Sequence, residues 1–192
     1  MKHYKLGAFL TFLFSILLIS YTFSWMVTEP SGGEIIHYQR ELIVSSAGVT
    51  VDVYVYENND YVLFDGDTIN VDNMAPNDSK RFKFVVHNSK QTDAVVDIIF
   101  ANIYGDIDVL KPFISFNSSD PATFSRNLIN DLQTSSTIDG MDVVNYIKFY
   151  DDFTVPSHGE STIYWDIKLD KTADNSVALK NLDIENIMFI NG

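Results

Sequence analysis

From residue 49 onward, apolar side chains fall on every second position in one short run after another. Val49, Val51, Val53 and Val55 point one way while Thr50, Asp52, Tyr54 and Tyr56 point the other, which is the period of a half-buried strand. Arg81–His87 repeats the pattern, with Phe82, Phe84 and Val86 inward and Arg81 and Lys83 outward. In Ser161–Leu169, Ile163, Trp165, Ile167 and Leu169 alternate with Thr162, Tyr164, Asp166 and Lys168. Ala94–Tyr104 is a longer apolar run, as a central strand requires, and Val143–Phe149 and Asp183–Ile190 complete the main set. Fainter versions occupy Ile35–Val44, Tyr61–Phe64 and Phe113–Phe116. Short strands separated by Asn, Asp, Gly and Ser clusters predict an all-β fold, an antiparallel β-sandwich over residues 35–192.

One segment departs from period two. Asp120-Pro121 reads as an N-cap followed by proline at the first helical position. Phe124, Leu128 and Leu132 then recur every four residues up to Gln133, predicting a helix of about three turns over 121–133. Such a helix would cover an end or an edge of the sandwich and suppress uncontrolled strand addition. Two strand entries also echo each other. Met74-Ala75-Pro76-Asn77-Asp78-Ser79 opens one strand and Val155-Pro156-Ser157-His158-Gly159-Glu160-Ser161 another. Proline presets each turn and Asn/Asp or Gly closes it, so the echo is structural.

Ahead of the alternating region lies a different pattern. Lys2 and Lys5 precede Leu6–Val27, which carries no charge, and the first acid is Glu29. A basic start, an apolar core and small residues at the end form an export signal, whereas about 20 apolar residues also suffice for a spanning helix. Leu6–Ile19 is densely apolar and 20–24 is mixed, with Thr22 and Ser24 two apart. The reading adopted is a hydrophobic signal helix, residues 1–24, cleaved between Ser24 and Trp25; the alternative is an uncleaved anchor extending to Val27. Residues 25–34, with Pro30, Ser31, Gly32 and Gly33, form a linker.

Charge narrows the partners. The chain carries a net charge of -13; residues 1–24 hold two lysines and no acid, so their removal takes it to -15. Such a surface repels nucleic acid and anionic head groups, which leaves the N-terminal segment as the only membrane contact expected. Cysteine is absent, so the exported domain must be held by its apolar core instead of disulfides.

No catalytic constellation emerges. The histidines are His3, His37, His87 and His158, none at the i, i+4 spacing of a helical zinc site. Thiol chemistry is excluded without cysteine, and no Gly-x-Ser-x-Gly elbow occurs. Hence neither catalytic residue, metal ligand nor cofactor is assigned, and the protein is read as no enzyme. Asp65-Gly66-Asp67, Asp72-Asn73 with Asn77-Asp78, and Asp151-Asp152 offer oxygen ligands for weak loop calcium binding, but lack the EF-hand spacing. Asn77-Asp78-Ser79 and Asn117-Ser118-Ser119 match glycosylation acceptors by composition alone. Tyr54 and Tyr56, outward on their strand, suit either stacking on sugars or packing beside a neighbouring strand.

The signal ending in Thr22-Phe23-Ser24 is similar to those processed by the dedicated signal peptidase SipW. Met74–Asn88, followed by Ile98–Asp106 with its Tyr104-Gly105-Asp106, resembles the first half of the TasA/camelysin family. The closing Leu169-Asp170-Lys171-Thr172-Ala173-Asp174-Asn175 resembles that family's end. The aromatic signal end and a longer insertion between Phe116 and Asp142 depart from its pattern. The resemblance implies a jelly-roll-like sandwich with one or two short helices, secreted or held at the cell surface, whose copies build extracellular matrix fibres. It also brings camelysin-like metallopeptidase activity into view, for which no motif is present. Within this frame Ile35–Val44, with Ile35, Ile36, Tyr38, Leu42, Ile43 and Val44, follows a flexible linker and is the expected assembly strand, inserting beside an open edge of the next copy. A tethered adhesin or ligand-binding sandwich is the alternative.

Overall fold

The computed structural model describes residues 41–192 except 65–67, 73, 175–176 and 178–179. The apolar run, the Ser24–Trp25 bond, the linker and Ile35, Ile36 and Tyr38 therefore lie outside the described residues. Twelve strands and two one-turn helices follow in order: β1 (Glu41–Val44), β2 (Val49–Glu57), β3 (Asp60–Leu63), β4 (Ile69–Asn70), β5 (Ser79–Asn88), β6 (Ala94–Gly105), α1 (Ile107–Leu110), β7 (Ile114–Asp120), β8 (Phe124–Asn127), α2 (Leu128–Asp131), β9 (Gln133–Ile138), β10 (Met141–Val155), β11 (Glu160–Leu169) and β12 (Leu182–Asn191). One sheet runs β1-β12-β6-β10-β9, with β4 also on β12; the other runs β3-β2-β5-β11-β7-β8. The chain crosses repeatedly between them, so the all-β, two-sheet sandwich expected from the alternation is the observed architecture.

The alternating residues fill the space between the sheets. Phe82 and Phe84 of β5, Phe116 of β7 and Trp165 of β11 meet Phe100 of β6, Phe149 of β10 and Phe189 of β12, all buried. Trp165 stacks on Phe82 at 4.6 Å between centroids and lies 4.8 Å from Phe100, which itself stacks on Phe149 at 4.7 Å. Aromatic pairs at these separations add to the transfer energy of the rings. The Trp165 indole N–H is buried without a hydrogen-bond acceptor, so Trp165 is held by contact area and not by its polar handle.

The predicted helix over 121–133 does not form. Asp120 ends β7, the Asp120–Pro121 bond is cis, and β8 pairs antiparallel with β7 through Phe116↔Arg126 and Asn117↔Ser125. A single helical turn, α2, follows, and Gln133–Ile138 then extends as β9. Phe124 and Leu128 do face the core, as the spacing required: Leu128 is buried and the Phe124 ring packs on Phe149 and Tyr150. Two short β segments joined by one turn produce the same four-residue spacing as a helix. The open edge of β7 decides between them, because pairing satisfies its backbone groups where a helix would not. β8, not a helix, therefore ends this sheet.

β10 serves two neighbours. Its residues 147–155 pair with β6, while 141–146 pair with β9. At the divide Asn102 and Asn145 take left-handed backbone, φ 53° and 47°, which asparagine tolerates. Their side chains replace the lost ladder: Val144 N–H donates to Asn102 Oδ1 at 3.0 Å and Asn145 Nδ2 to the Ile103 carbonyl at 3.2 Å.

The echoed turns lie at opposite ends of the β5–β11 pair, which is antiparallel from Glu160↔His87 to Lys168↔Ser79. Each turn holds the end of the other strand: Leu169 N–H donates to the Asp78 carbonyl at 3.0 Å, and Asn88 N–H to the Gly159 carbonyl at 2.9 Å. Tyr104-Gly105-Asp106 has a structural use as well. Gly105, at φ +105°, would place a Cβ 2.4 Å from the Asn181 carbonyl oxygen. Asp106 then binds Lys180 at 3.0 Å and the Asn181 N–H at 3.2 Å, and these bonds hold its carboxyl below the usual range.

Trp165→Ala is expected to cost about 3–5 kcal/mol and Trp165→Phe far less, because Phe keeps a ring in the stack and removes the unpaired donor. Urea unfolding of the two variants measures this; near-equal losses would show that the indole N–H is satisfied in solution.

Candidate functional site

The first strand and the edge it occupies form the site that the sequence pointed to. Leu42, Ile43 and Val44 lie in β1, which pairs parallel with β12 in the register Leu42↔Ile187, Ile43↔Met188 and Val44↔Phe189. It is the only parallel ladder among the described residues. Leu42 and Val44 turn inward against the main core, whereas Ile43 turns outward to join Ile99, Ala101, Val143 and Met188 on the sheet's other face. Ser45 N–H extends the ladder by donating to the Phe189 carbonyl at 3.1 Å. β4 holds the neighbouring stretch of the same β12 edge, through Asp183↔Asn70 and Ile184↔Ile69. The C-terminal part of the expected assembly strand is thus seated on its own subunit, at the end of the sheet.

Four residues of this attachment lie among the described residues. Ordering them costs about 1–2 kcal/mol each, and burying Leu42, Ile43 and Val44 only in part returns less than the about 1.5–3 kcal/mol of a fully buried side chain. The terms are of like size.

A second cluster lies on the outer face of the other sheet. The His87 ring has Asp52 at 3.2 Å from Nε2 and Glu160 at 3.3 Å from Nδ1, while His87 and His158 both border one shallow depression. Carboxylates at opposite ring nitrogens cannot converge with the ring on a single ion. The acids proposed for calcium have other partners. Asp78 accepts from Ala75 N–H, Asp72 pairs with Lys80, and Asp151 pairs with Lys148 and Arg126. Hydrogen bonds from Lys148 to Asp151 and to Asp97 hold its ammonium well above the ordinary lysine range. Among the described residues no group of three or more His, Cys, Asp or Glu is disposed around one metal position. Asp65, Asp67 and Asn73 lie outside the described residues.

Beyond His87 the same face becomes aromatic. The register sets Tyr54 beside Lys83 and Lys83 beside Tyr164, with Tyr56 opposite Tyr61 on β3. Lys83 Nζ sits 4.1 Å from the Tyr54 ring centroid and 5.1 Å from that of Tyr61; the Arg81 guanidinium is 5.6 Å from Tyr56. Tyr61 also contacts Tyr56 and Tyr164 edge to face. Partial burial, and then Tyr164, raise the Tyr61 phenol, so it is neutral at ordinary pH. Outward alternation had marked Tyr54 and Tyr56; only strand order could add Tyr61 and Tyr164 to them.

No family model and no curated protein matches this chain. Among the described residues no helix is long and apolar enough to cross a membrane.

The β12 edge contains one strained charge. Burial and then the nearby Asp72 push the Asp183 carboxyl up, against a hydrogen bond from Asn181. Its ionised form therefore opposes folding at neutral pH, and the cost is relieved as pH falls through the raised folded-state pKa. Asp183→Asn is expected to raise Tm by about 1–2 °C at pH 7. The gain should vanish below about pH 4, where the unfolded carboxyl is also protonated. A gain that is constant from pH 7 to pH 3, read by thermal melts, would assign the effect to something other than charge.

Proposed function

We propose that this protein is an exported structural subunit of an extracellular matrix or cell-surface fibre, assembling by strand addition between copies, as its resemblance to the TasA/camelysin family suggests. The observation that carries the reading is β1: among the described residues, a parallel strand at the end of its sheet, continuous in sequence with the N-terminal segment. A copy whose own β1 leaves β12 exposes the edges of Asn186, Ile187, Met188 and Phe189. The equivalent strand of a second copy can then replace it with the same hydrogen bonds and the same side-chain seats. Because donor and acceptor surfaces differ, the contact is heterologous and repeats as an open filament instead of closing as a dimer. Cleavage after Ser24 by a signal peptidase would free the donor from the membrane. The protein then acts through copies of itself, without catalytic residue or cofactor.

The register supplies a direct test. The chain has no cysteine, and Ile43 and Met188 are paired positions, so Ile43→Cys with Met188→Cys reports which chain occupies the edge. Oxidation before assembly should close the bond within one chain and abolish fibres seen by electron microscopy. Oxidation after assembly should give a covalent ladder on a non-reducing gel. Fibres built from locked monomers, or fibres containing only intrachain bonds, would refute strand exchange. N-terminal sequencing of the extracellular form should begin at Trp25; a chain retained whole in membranes and forming no fibres would favour the tethered adhesin.

A further inference from the structure

The tyrosine face of β2, β3, β5 and β11 carries two cations, Arg81 and Lys83, that make no ion pair among the described residues. Lys80, Lys111, Arg126, Lys148 and Lys180 each lie within ion-pair distance of a carboxylate. Arg81 and Lys83 instead lean on Tyr56, Tyr54 and Tyr61. A carboxylate is close at hand: Asp166 is the cross-strand partner of Arg81. It is nevertheless bound by Asn117 Nδ2 at 2.7 Å and makes no ion pair with the guanidinium. On a molecule with 26 acids against 13 bases, two cations beside Asp166 make this aromatic platform less acidic than the chain as a whole. The platform continues into an open cleft of about 800 Å³ bordered by Tyr56, Arg81 and Phe64.

We propose that this face binds an acidic polysaccharide whose carboxylates are widely spaced along a chain of sugars. Tyrosine rings offer apolar faces to pyranose C–H groups and phenols to hydroxyls. The fork of Arg81 receives a carboxylate in bidentate fashion and Lys83 receives one as a point charge. Arg81 and Lys83 are two residues apart on one strand, so their Cα atoms are separated by about 7 Å, and their long side chains can splay to meet carboxylates spaced more widely than that. The charge balance favours sparse acids: two cations can hold occasional carboxylates, but they cannot offset repulsion between a strongly acidic protein and a phosphate on every nucleotide. The inference does not depend on fibre formation, since the face lies on the other sheet from β1 and is complete in a single copy.

Isothermal titration of the full chain with hyaluronan oligosaccharides at low ionic strength tests it, with dextran as the neutral comparison and an oligo-dT strand as the nucleic-acid one. Saturable binding to hyaluronan is expected, weakened at least tenfold in the Arg81→Gln/Lys83→Gln variant and in dextran. Lys111→Gln/Lys171→Gln makes the same change in net charge outside the four strands of this face and should bind as wild type does. Tm of each variant guards against unfolding, and Tyr61→Ala, on the outermost strand, gives an independent loss of affinity. Equal loss in the Lys111/Lys171 variant, equal binding of dextran, tighter binding of oligo-dT through the same residues, or no binding by wild type would each overturn the assignment. So would wild-type self-association that the Arg81/Lys83 variant loses, because the face would then belong to a second copy.

Discussion

The contact between Trp165 and Phe100 joins the two halves of this molecule. One ring comes from the middle of β11 and the other from the middle of β6, and each lies against further aromatic side chains of its own sheet. With no cysteine to cross-link the layers, the spacing of the sheets is set by how these rings fill the gap. The register of β11 on β5 and β7 follows, since a slip of one residue would turn Trp165 to solvent and bring Tyr164 inward. Everything on the outer faces, including the tyrosine platform and the His87 cluster, is placed by that registry.

Where alternation was long, the fold was legible. β5, β6, β11 and β12 lie close to their predicted spans: β6 and β11 each have four inward side chains in phase, β5 has three, and β12 has two pairs. Legibility failed where pairing, not patterning, made the structure. Phe124, Leu128 and Leu132 obey a helical period, but the free edge of β7 recruited Phe124–Asn127 as a strand. β4, two residues long, carries no period at all and exists because β12 extends past β1. β10 outruns its prediction because one strand serves two partners, and the change between them is made by Asn102 and Asn145.

The candidate site was legible in part for the same reason. Leu42, Ile43 and Val44 stood out by composition and position, but that they run parallel to the last strand of the chain is a long-range fact with no local signal. Tyr54 and Tyr56 were visible as outward aromatics. Their neighbours Tyr61, Lys83, Arg81 and Tyr164 come from three other strands, and only sheet order collects them. The echoed proline turns were visible as a repeat, yet their use in clasping opposite ends of one strand pair required the β5–β11 register.

The direction of β1 has its own outcome. A parallel strand enters its groove at the end where the partner strand begins, so a chain seated on β12 arrives near Asn186 and leaves toward Phe189, the same way that β12 runs to its own end at Asn191. Any array built through this seat has a head and a tail, with every member facing the same way. Its two tips differ chemically, one presenting a vacant groove and the other an unplaced strand.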